Sequence, residues 1–92
     1  MLNYQLHTRF KKEYKKQQKR NKQMEKLDLV MKKIIMEEPL EEKYQDHLLI
    51  GNYAGYRECH IEPDSLLIYF IDKKMRTVTF ARTGAHSDLF NK

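Results

Sequence analysis

The stretch Leu66-Leu67-Ile68-Tyr69-Phe70-Ile71 is apolar at every position. A short continuous apolar run predicts a strand that is buried on both faces, and therefore lies in the middle of a sheet. On either side, Tyr56–Glu62 alternates apolar and polar residues, and Arg76–Arg82 is rich in Thr, Val and Phe. Turn residues at Glu62-Pro63-Asp64-Ser65 and Asp72-Lys73-Lys74 separate the three segments, which indicates a meander of antiparallel hairpins.

The N-terminal part of the chain predicts one strand and two helices. Tyr4–Thr8 alternates as a short strand does, and Thr8 is a weak candidate cap for the helix that follows. Lys11–Lys22 lacks Gly, Pro, Val and Ile, and the pattern breaks near Asn21. Met24–Glu37 then carries apolar residues at helical spacing and ends before a proline. Two adjacent helices with a short link predict an αα-hairpin.

The remaining segments complete the predicted topology. A strand is predicted to begin at His47 and to end in a turn at Gly51-Asn52. Thr83-Gly84 is predicted to turn the chain, and residues 85–90 are predicted to form a helical turn or a short strand. The predicted order is β-α-α-β-β-β in one domain, residues 1–92. This order indicates the α+β class, with the hairpin helices packed on one face of a mostly antiparallel sheet. We expect the other face and its loops to bind a partner or substrate.

The charge of the chain is concentrated at its N-terminal end. The net charge is +5, but residues 1–33 carry +8 and residues 34–92 carry −3. A basic segment is attracted to nucleic acid or to an acidic protein partner. The alternative is a lysine-rich helix face that is simply solvated.

The cellular location of the protein and the state of its cysteine are predicted from features that the sequence lacks. The first residues form no apolar leader, and the longest apolar run is too short to span a membrane, so we expect a cytoplasmic protein without membrane contact. Cys59 cannot form an internal disulfide because the chain has one cysteine. Its place in a predicted strand favours a small buried side chain over a nucleophile.

Polar residues that could take part in catalysis or binding cluster in the second half of the chain. They are Asp46-His47, the run Arg57–Asp64, and Arg82-Thr83-Gly84-Ala85-His86. The histidine spacing matches no compact metal motif, and neighbouring Cys59 and His60 point to opposite faces of a strand, so we expect neither metal nor cofactor. A serine hydrolase is disfavoured because no nucleophile elbow stands beside a histidine.

Cleavage of RNA fits these residue types better. The 2′-hydroxyl of RNA supplies the nucleophile, so the protein needs only a base, an acid and cationic groups for the phosphorane. Histidine suits both proton roles near neutral pH, and arginine suits charge stabilisation. For any single residue a structural role is an open alternative. His47 can be a turn residue, His60 a half-buried histidine, and Arg57 and Arg82 ion-pair partners.

The quoted segments also resemble a known family. Gln45–Gly51, Gly55–Asp64, Leu67–Tyr69 and Arg82–Phe90 are similar to the YafQ branch of the RelE/ParE superfamily, which comprises toxins of bacterial type II toxin–antitoxin pairs. The resemblance implies the small RelE-like fold and metal-independent cleavage of mRNA, typically on translating ribosomes. It also implies an antitoxin that wraps the toxin and blocks its site, and a toxin–antitoxin complex that binds operator DNA through the antitoxin.

The resemblance further implies the active-site residues His47, His60, Asp64, Arg82, His86 and Phe90. By this analogy His86 is the general acid, and Arg82 holds the scissile phosphate. His60 and Asp64 take part in base chemistry or orient the 2′-hydroxyl.

The other implied contacts are with the RNA. His47 contacts the phosphate or assists proton transfer, and Phe90 positions a base. Further RNA contacts are predicted for Arg57, Tyr53, Tyr56, Lys15, Lys16 and Lys19. The chain departs from the family pattern at Ser65 and Tyr53, where the family has tryptophan, so the codon preference of the family is not assumed for this chain. Two alternatives stay open at this point: a ParE-like toxin that does not cut RNA, and a non-catalytic RNA- or protein-binding module.

Overall fold

The computed structural model describes residues 1–20 and 24–90, apart from the side chains of Asp88 and Phe90. The helices and strands are β1 (Asn3–Leu6), α1 (Thr8–Lys19), α2 (Glu25–Ile35), β2 (His47–Leu48), β3 (Arg57–Glu62), β4 (Ser65–Asp72), β5 (Thr77–Ala85) and α3 (His86–Phe90). Within these residues, five strands form one sheet in the order β1-β5-β4-β3-β2. β1 runs parallel to β5 and the other pairs are antiparallel. The predicted α+β class is confirmed.

The predicted order β-α-α-β-β-β is one strand and one helix short, although a strand at His47 and a helical turn within 85–90 are both predicted. β2, the strand predicted at His47, has only two residues, which pair with Glu58 and Arg57 of β3. The predicted turn at Thr83-Gly84 is wrong. β5 continues to Ala85 because it stays paired with β4 as far as Ser65.

Both helices differ from prediction at their ends. The residue that caps α1 is His7, not Thr8: the Arg9 backbone N–H donates to His7 Nδ1 over 3.2 Å. α2 ends at Ile35, before the predicted Glu37, because Glu37 adopts a left-handed φ of 60° that a helix cannot continue. The predicted break near Asn21 lies outside the described residues. None of the described helices has the length and apolar character needed to span a bilayer.

Two apolar clusters sandwich the sheet. On one face, Phe10 of α1 and Val30 of α2 pack over Tyr69 and Phe80, whose rings lie 6.5 Å apart. On the other face, Leu66 and Ile68 of β4 pack in a second cluster together with Ala81 and Leu89. β4 is therefore buried on both sides, as its apolar sequence predicts.

A β-bulge in β5 decides which way Arg82 points. Tyr69 pairs with Phe80 and Ile68 pairs with Arg82, so Ala81 is left without a partner. Strand residues two apart normally share a face, and Phe80 packs against the helices. The extra residue moves Arg82 to the face of Ile68, opposite the face of Phe80.

Candidate active site

The strand register brings the predicted residues to one face of the sheet. His47 of β2 lies opposite Glu58 of β3, while Ile68 of β4 lies opposite both Glu58 and Arg82. Directly opposed residues in antiparallel strands share a face. His47, Glu58 and Arg82 therefore lie on the face of Ile68, opposite the face covered by Phe10 and Val30, as does His60, two residues after Glu58. We call this surface the site face.

Glu58 joins the two histidines of the site face. One of its carboxylate oxygens, Oε1, lies 3.4 Å from His47 Nε2 and 3.6 Å from His60 Nε2. The two imidazole rings are stacked with their centroids 6.3 Å apart. Glu58 is almost buried, at 6% exposure, so both imidazoles face a carboxylate that is held in place. Sequence reasoning did not single out Glu58, although its spacing of two from His60 in a strand was the available signal.

A backbone contact orients His47. The Nδ1 atom lies 2.6 Å from the carbonyl oxygen of Gln45, whose left-handed φ of 49° turns that carbonyl toward the ring. A carbonyl only accepts hydrogen bonds, so Nδ1 carries the proton and Nε2 is turned toward Glu58. His47, Glu58 and His60 can thus pass a proton among them.

Asp64 and His86 lie at the same end of the sheet. Ser65 pairs with Ala85, and Asp64 and His86 are the residues just beyond this pair. Both are exposed, Asp64 in the β3–β4 turn and His86 as the first residue of α3. An exposed imidazole and an exposed carboxylate can each exchange protons with a bound substrate. The side chain of Phe90, the other site residue predicted in this segment, lies outside the description.

Arg82 is held by four hydrogen bonds. Its Nε and Nη2 donate to Glu13 Oε2 over 2.9 and 2.6 Å, and its Nη1 donates to the Tyr53 hydroxyl and the Leu89 carbonyl, each over 3.2 Å. The hydrogen bond to Glu13 is the main cause that raises the pKa of Arg82. Arg82 is 8% exposed, so its direction is set by these partners.

Glu13 is a second residue that sequence reasoning missed. Its other oxygen, Oε1, accepts the backbone N–H of Thr83 over 3.0 Å, so the carboxylate also caps the edge of β5 beyond the last residue of β1. Glu13 and Arg82 are 69 residues apart, and no local spacing in the sequence reveals such a contact.

The two predicted aromatic residues lie on the site face. Tyr53 and Tyr56 form an edge-to-face pair with centroids 5.9 Å apart, and both pack against the second apolar cluster. Tyr53 also binds Arg82 through its hydroxyl. Their predicted contact with RNA stays a prediction, and the structure adds a role for Tyr53 in placing Arg82.

The structure does not bring Arg57 to the site face, and its predicted contact with RNA stays a prediction. It lies opposite Tyr69, on the side of the helices, where its Nη2 is 3.0 Å from Asp46 Oδ2. The Tyr69 hydroxyl donates to Asp46 Oδ1 over 2.6 Å. The hydrogen bond to Asp46 raises the pKa of Arg57. These contacts favour the structural ion-pair role, and they anchor the segment that carries His47.

The predicted lysines do not share one surface. Lys15, Lys16 and Lys19 are exposed on α1. Lys16 lies beside Thr83 and Gly84 near the site face, whereas Lys15 lines the groove between α1 and α2. Lys16 is therefore the better placed of these two for contact with a substrate.

The described residues include no group of three or more His, Cys, Asp or Glu that is arranged to hold a metal ion. His47 and His60 converge on a single carboxylate, Glu58. The predicted metal independence stays a prediction.

Cys59 is expected to resist alkylation in the folded protein. It is 0% exposed, and burial raises the pKa of its thiol to about 12. At pH 8.5 fewer than about one thiol in a thousand is then ionised, and the thiolate is the reactive form. Iodoacetamide labelling followed by mass spectrometry should show modification only in denaturant. Rapid labelling of the native protein would contradict the burial of Cys59.

Comparison with known proteins places this architecture among bacterial toxins. The model of the family "Bacterial toxin of type II toxin-antitoxin system, YafQ" matches residues 2–91. The mRNA interferase toxin YafQ of Escherichia coli K12 is 44% identical over 82 residues, which cover 88% of this chain and 87% of the relative. The chain therefore belongs to the YafQ family of toxins, and the resemblance seen in the sequence is confirmed.

Solved structures agree in fold. The YafQ chain of an Escherichia coli DinJ–YafQ complex superposes with a TM-score of 0.89 at 38% identity, covering 98% of this chain and 99% of that one. A metal-bound toxin from Helicobacter pylori superposes with a TM-score of 0.91 at 39% identity, covering 98% of this chain and all of that one. The RelE-like arrangement of helices and sheet is shared along the chain.

Proposed function

We propose that this toxin is an mRNA interferase, an endoribonuclease that cuts mRNA without a metal ion. The observation that supports the proposal is the strand register: His60 lies opposite Leu66 of β4, Arg82 lies opposite Ile68 of the same strand, and His86 follows the Ser65–Ala85 pair. The similarity to the mRNA interferase toxin YafQ supports the same activity. A ParE-like toxin or a simple binding module does not need this set of residues.

The proposed reaction uses the RNA as its own nucleophile. His60, with Asp64, removes the proton of the 2′-hydroxyl, and the resulting oxygen attacks the adjacent phosphorus. Arg82 stabilises the extra negative charge of the phosphorane. His86 donates a proton to the departing 5′-oxygen, so that the products are a 2′,3′-cyclic phosphate and a 5′-hydroxyl end.

Glu58 and His47 are proposed to assist His60 in this reaction. A buried carboxylate 3.6 Å from His60 Nε2 orients the ring and stabilises its protonated form after it has taken the 2′-hydroxyl proton. His47 shares the same carboxylate oxygen and relays the proton or contacts the phosphate. Phe90 is proposed to position a base, as the family pattern implies.

The proposed partners follow from the family. YafQ of Escherichia coli has been solved in complex with DinJ, and we propose that a cognate antitoxin covers the site face of this chain in the same way. We further propose that the substrate is mRNA on translating ribosomes in the cytoplasm, and that the toxin–antitoxin complex binds operator DNA through the antitoxin.

Induced expression in a bacterium tests the activity directly. After induction, new 5′ ends of mRNA are mapped and compared with those of cells carrying the empty vector. In-frame cleavage sites that appear together with growth arrest would support a translation-coupled ribonuclease. Growth arrest with filamentous cells and intact mRNA would favour a ParE-like toxin. No arrest from a folded, well-expressed protein would contradict both.

Cleavage by the purified protein is expected to be unchanged by EDTA. The proposed mechanism assigns acid, base and charge stabilisation to side chains, and none of them needs a metal ligand. RNA cleavage rates are compared before and after exhaustive dialysis against EDTA, using free RNA because ribosomes require magnesium. A loss of activity that zinc or copper restores would contradict the metal-free mechanism.

A further inference from the structure

A cleft lies on the site face beyond Arg82, where β1 has ended. His7 and Arg9 line it from the start of α1, while Asn52, Tyr53 and Tyr56 line it from the segment before β3. Arg82 lies at its border, and its volume is about 200 Å³. The cleft is thus continuous with the proposed phosphate site, on the side away from His60 and His86.

The charged side chains that line the cleft are basic. No acidic residue lines it, and the first turn of α1 contains no acid. Arg9 is exposed, and its guanidinium makes no ion pair or hydrogen bond with any part of the chain that the structure describes. Arg82, by contrast, is paired with Glu13. Arg9 therefore supplies a charge that an incoming anion can use without displacing a protein partner.

The opposite wall is aromatic and rigid. Tyr56 packs against Phe70 with centroids 5.6 Å apart, and Tyr53 and Tyr56 hold each other edge to face. Both tyrosines are only half-buried, so part of each ring faces the cleft. A fixed aromatic surface opposite a cation is the combination that binds a base and a phosphate of single-stranded nucleic acid.

We propose that this cleft is an RNA subsite, which binds a nucleotide next to the scissile phosphate on the same strand. Arg9 contacts a backbone phosphate, and Tyr53 and Tyr56 contact the base. This inference rests on the proposed ribonuclease function and adds Arg9 to the RNA-binding residues. A peptide partner fits less well, because the cleft is small and joins the phosphate site directly.

The experiment compares Arg9→Gln with Lys12→Gln. Lys12 is an exposed cation of the same helix that lines none of the clefts described above, so it matches the change in charge. The substrate is an RNA cut in the mapping experiment, and binding is measured with the same RNA carrying 2′-deoxyribose at the scissile position. Thermal melting confirms that both variants are folded.

Arg9→Gln is expected to raise KM and Kd about three- to tenfold and to leave kcat within about twofold. Loss of one phosphate contact should lower the slope of log Kd against log salt by about 0.7, the value for single strands. Lys12→Gln should change the slope less. Tyr56→Leu, which keeps an apolar side chain at that position, should weaken binding about fivefold or more.

Equal weakening by Arg9→Gln and Lys12→Gln would overturn the subsite in favour of a diffuse basic surface. Unchanged RNA binding by Arg9→Gln and Tyr56→Leu, with weaker binding of the antitoxin, would overturn it in favour of a protein contact. A wild type that binds RNA through Arg9 but never cuts it would overturn the proposed function alone and leave an RNA-binding cleft.

Discussion

His86→Ala is expected to lower the rate of RNA cleavage about 10²- to 10⁴-fold, the range for loss of a general acid. His86 is exposed at the start of α3, at the same end of the sheet as Asp64. Its replacement by alanine therefore removes a proton donor without creating a cavity in the core. Growth arrest and the new mRNA ends should both disappear. The measurement is single-turnover cleavage of a defined RNA, with the mapped ends in cells as a second readout.

Ser87→Ala is the matched control for His86→Ala. Ser87 is the next residue of α3 and is also exposed, so a general disturbance of this short helix should appear in both variants. Ser87→Ala should cleave within about twofold of wild type. If His86→Ala stayed as active as wild type, His86 could not be the general acid, and the proton would have to come from His60 or from water.

Glu13→Ala is expected to lower both stability and cleavage. It removes the carboxylate from an arginine whose side chain is 10% exposed, while the Glu13 side chain itself is 20% exposed. Breaking a fully buried pair costs about 3–5 kcal/mol, and partial exposure here reduces the expected loss to about 2 kcal/mol. The freed guanidinium also leaves its fixed direction, for which we expect at least about a tenfold loss of cleavage rate.

Three further variants separate these effects. Glu13→Gln keeps an oxygen that can accept the Thr83 N–H, so it should recover part of the stability and activity that Glu13→Ala loses. Gln17→Ala loses a contact with Thr83 but none with Arg82, so its stability and activity should stay close to those of wild type. In an Arg82→Lys background, Glu13→Ala should cost far less activity, since coupled residues are not additive. Faster cleavage by Glu13→Gln would mean that the ion pair masks Arg82.

Much of the candidate site could be predicted because histidines and acids near turns are visible as a pattern. His47, His60, Asp64, Arg82 and His86 were all named from the sequence, and strand pairing brings them to one face and end of the sheet. Their catalytic roles stay predictions. Glu58 and Glu13 were missed because a carboxylate in a strand or a helix carries no signal of the partner it meets in the fold.

The positions of Arg57 and His7 in the fold differ from what the sequence pattern indicates, and each difference has a physical explanation. Arg57 stands in the same charged run as His60, which predicts that both contact RNA. The alternation of side chains along a strand instead directs Arg57 to the face of the helices, where it pairs with Asp46. The sequence predicts no role for His7. In the fold it caps α1 and also lines the cleft beside Arg82.

The sequence by itself determined the elements of this protein and their class. Apolar periodicity is local, so a fully apolar β4, an amphipathic α2 and turn residues between strands are enough to predict α+β. Tertiary structure alone decided the register and its consequences. The bulge at Ala81 turns Arg82 to the site face, and Glu13, 69 residues away, then sets its direction. Such contacts depend on how distant strands and helices pack, and no local pattern encodes that.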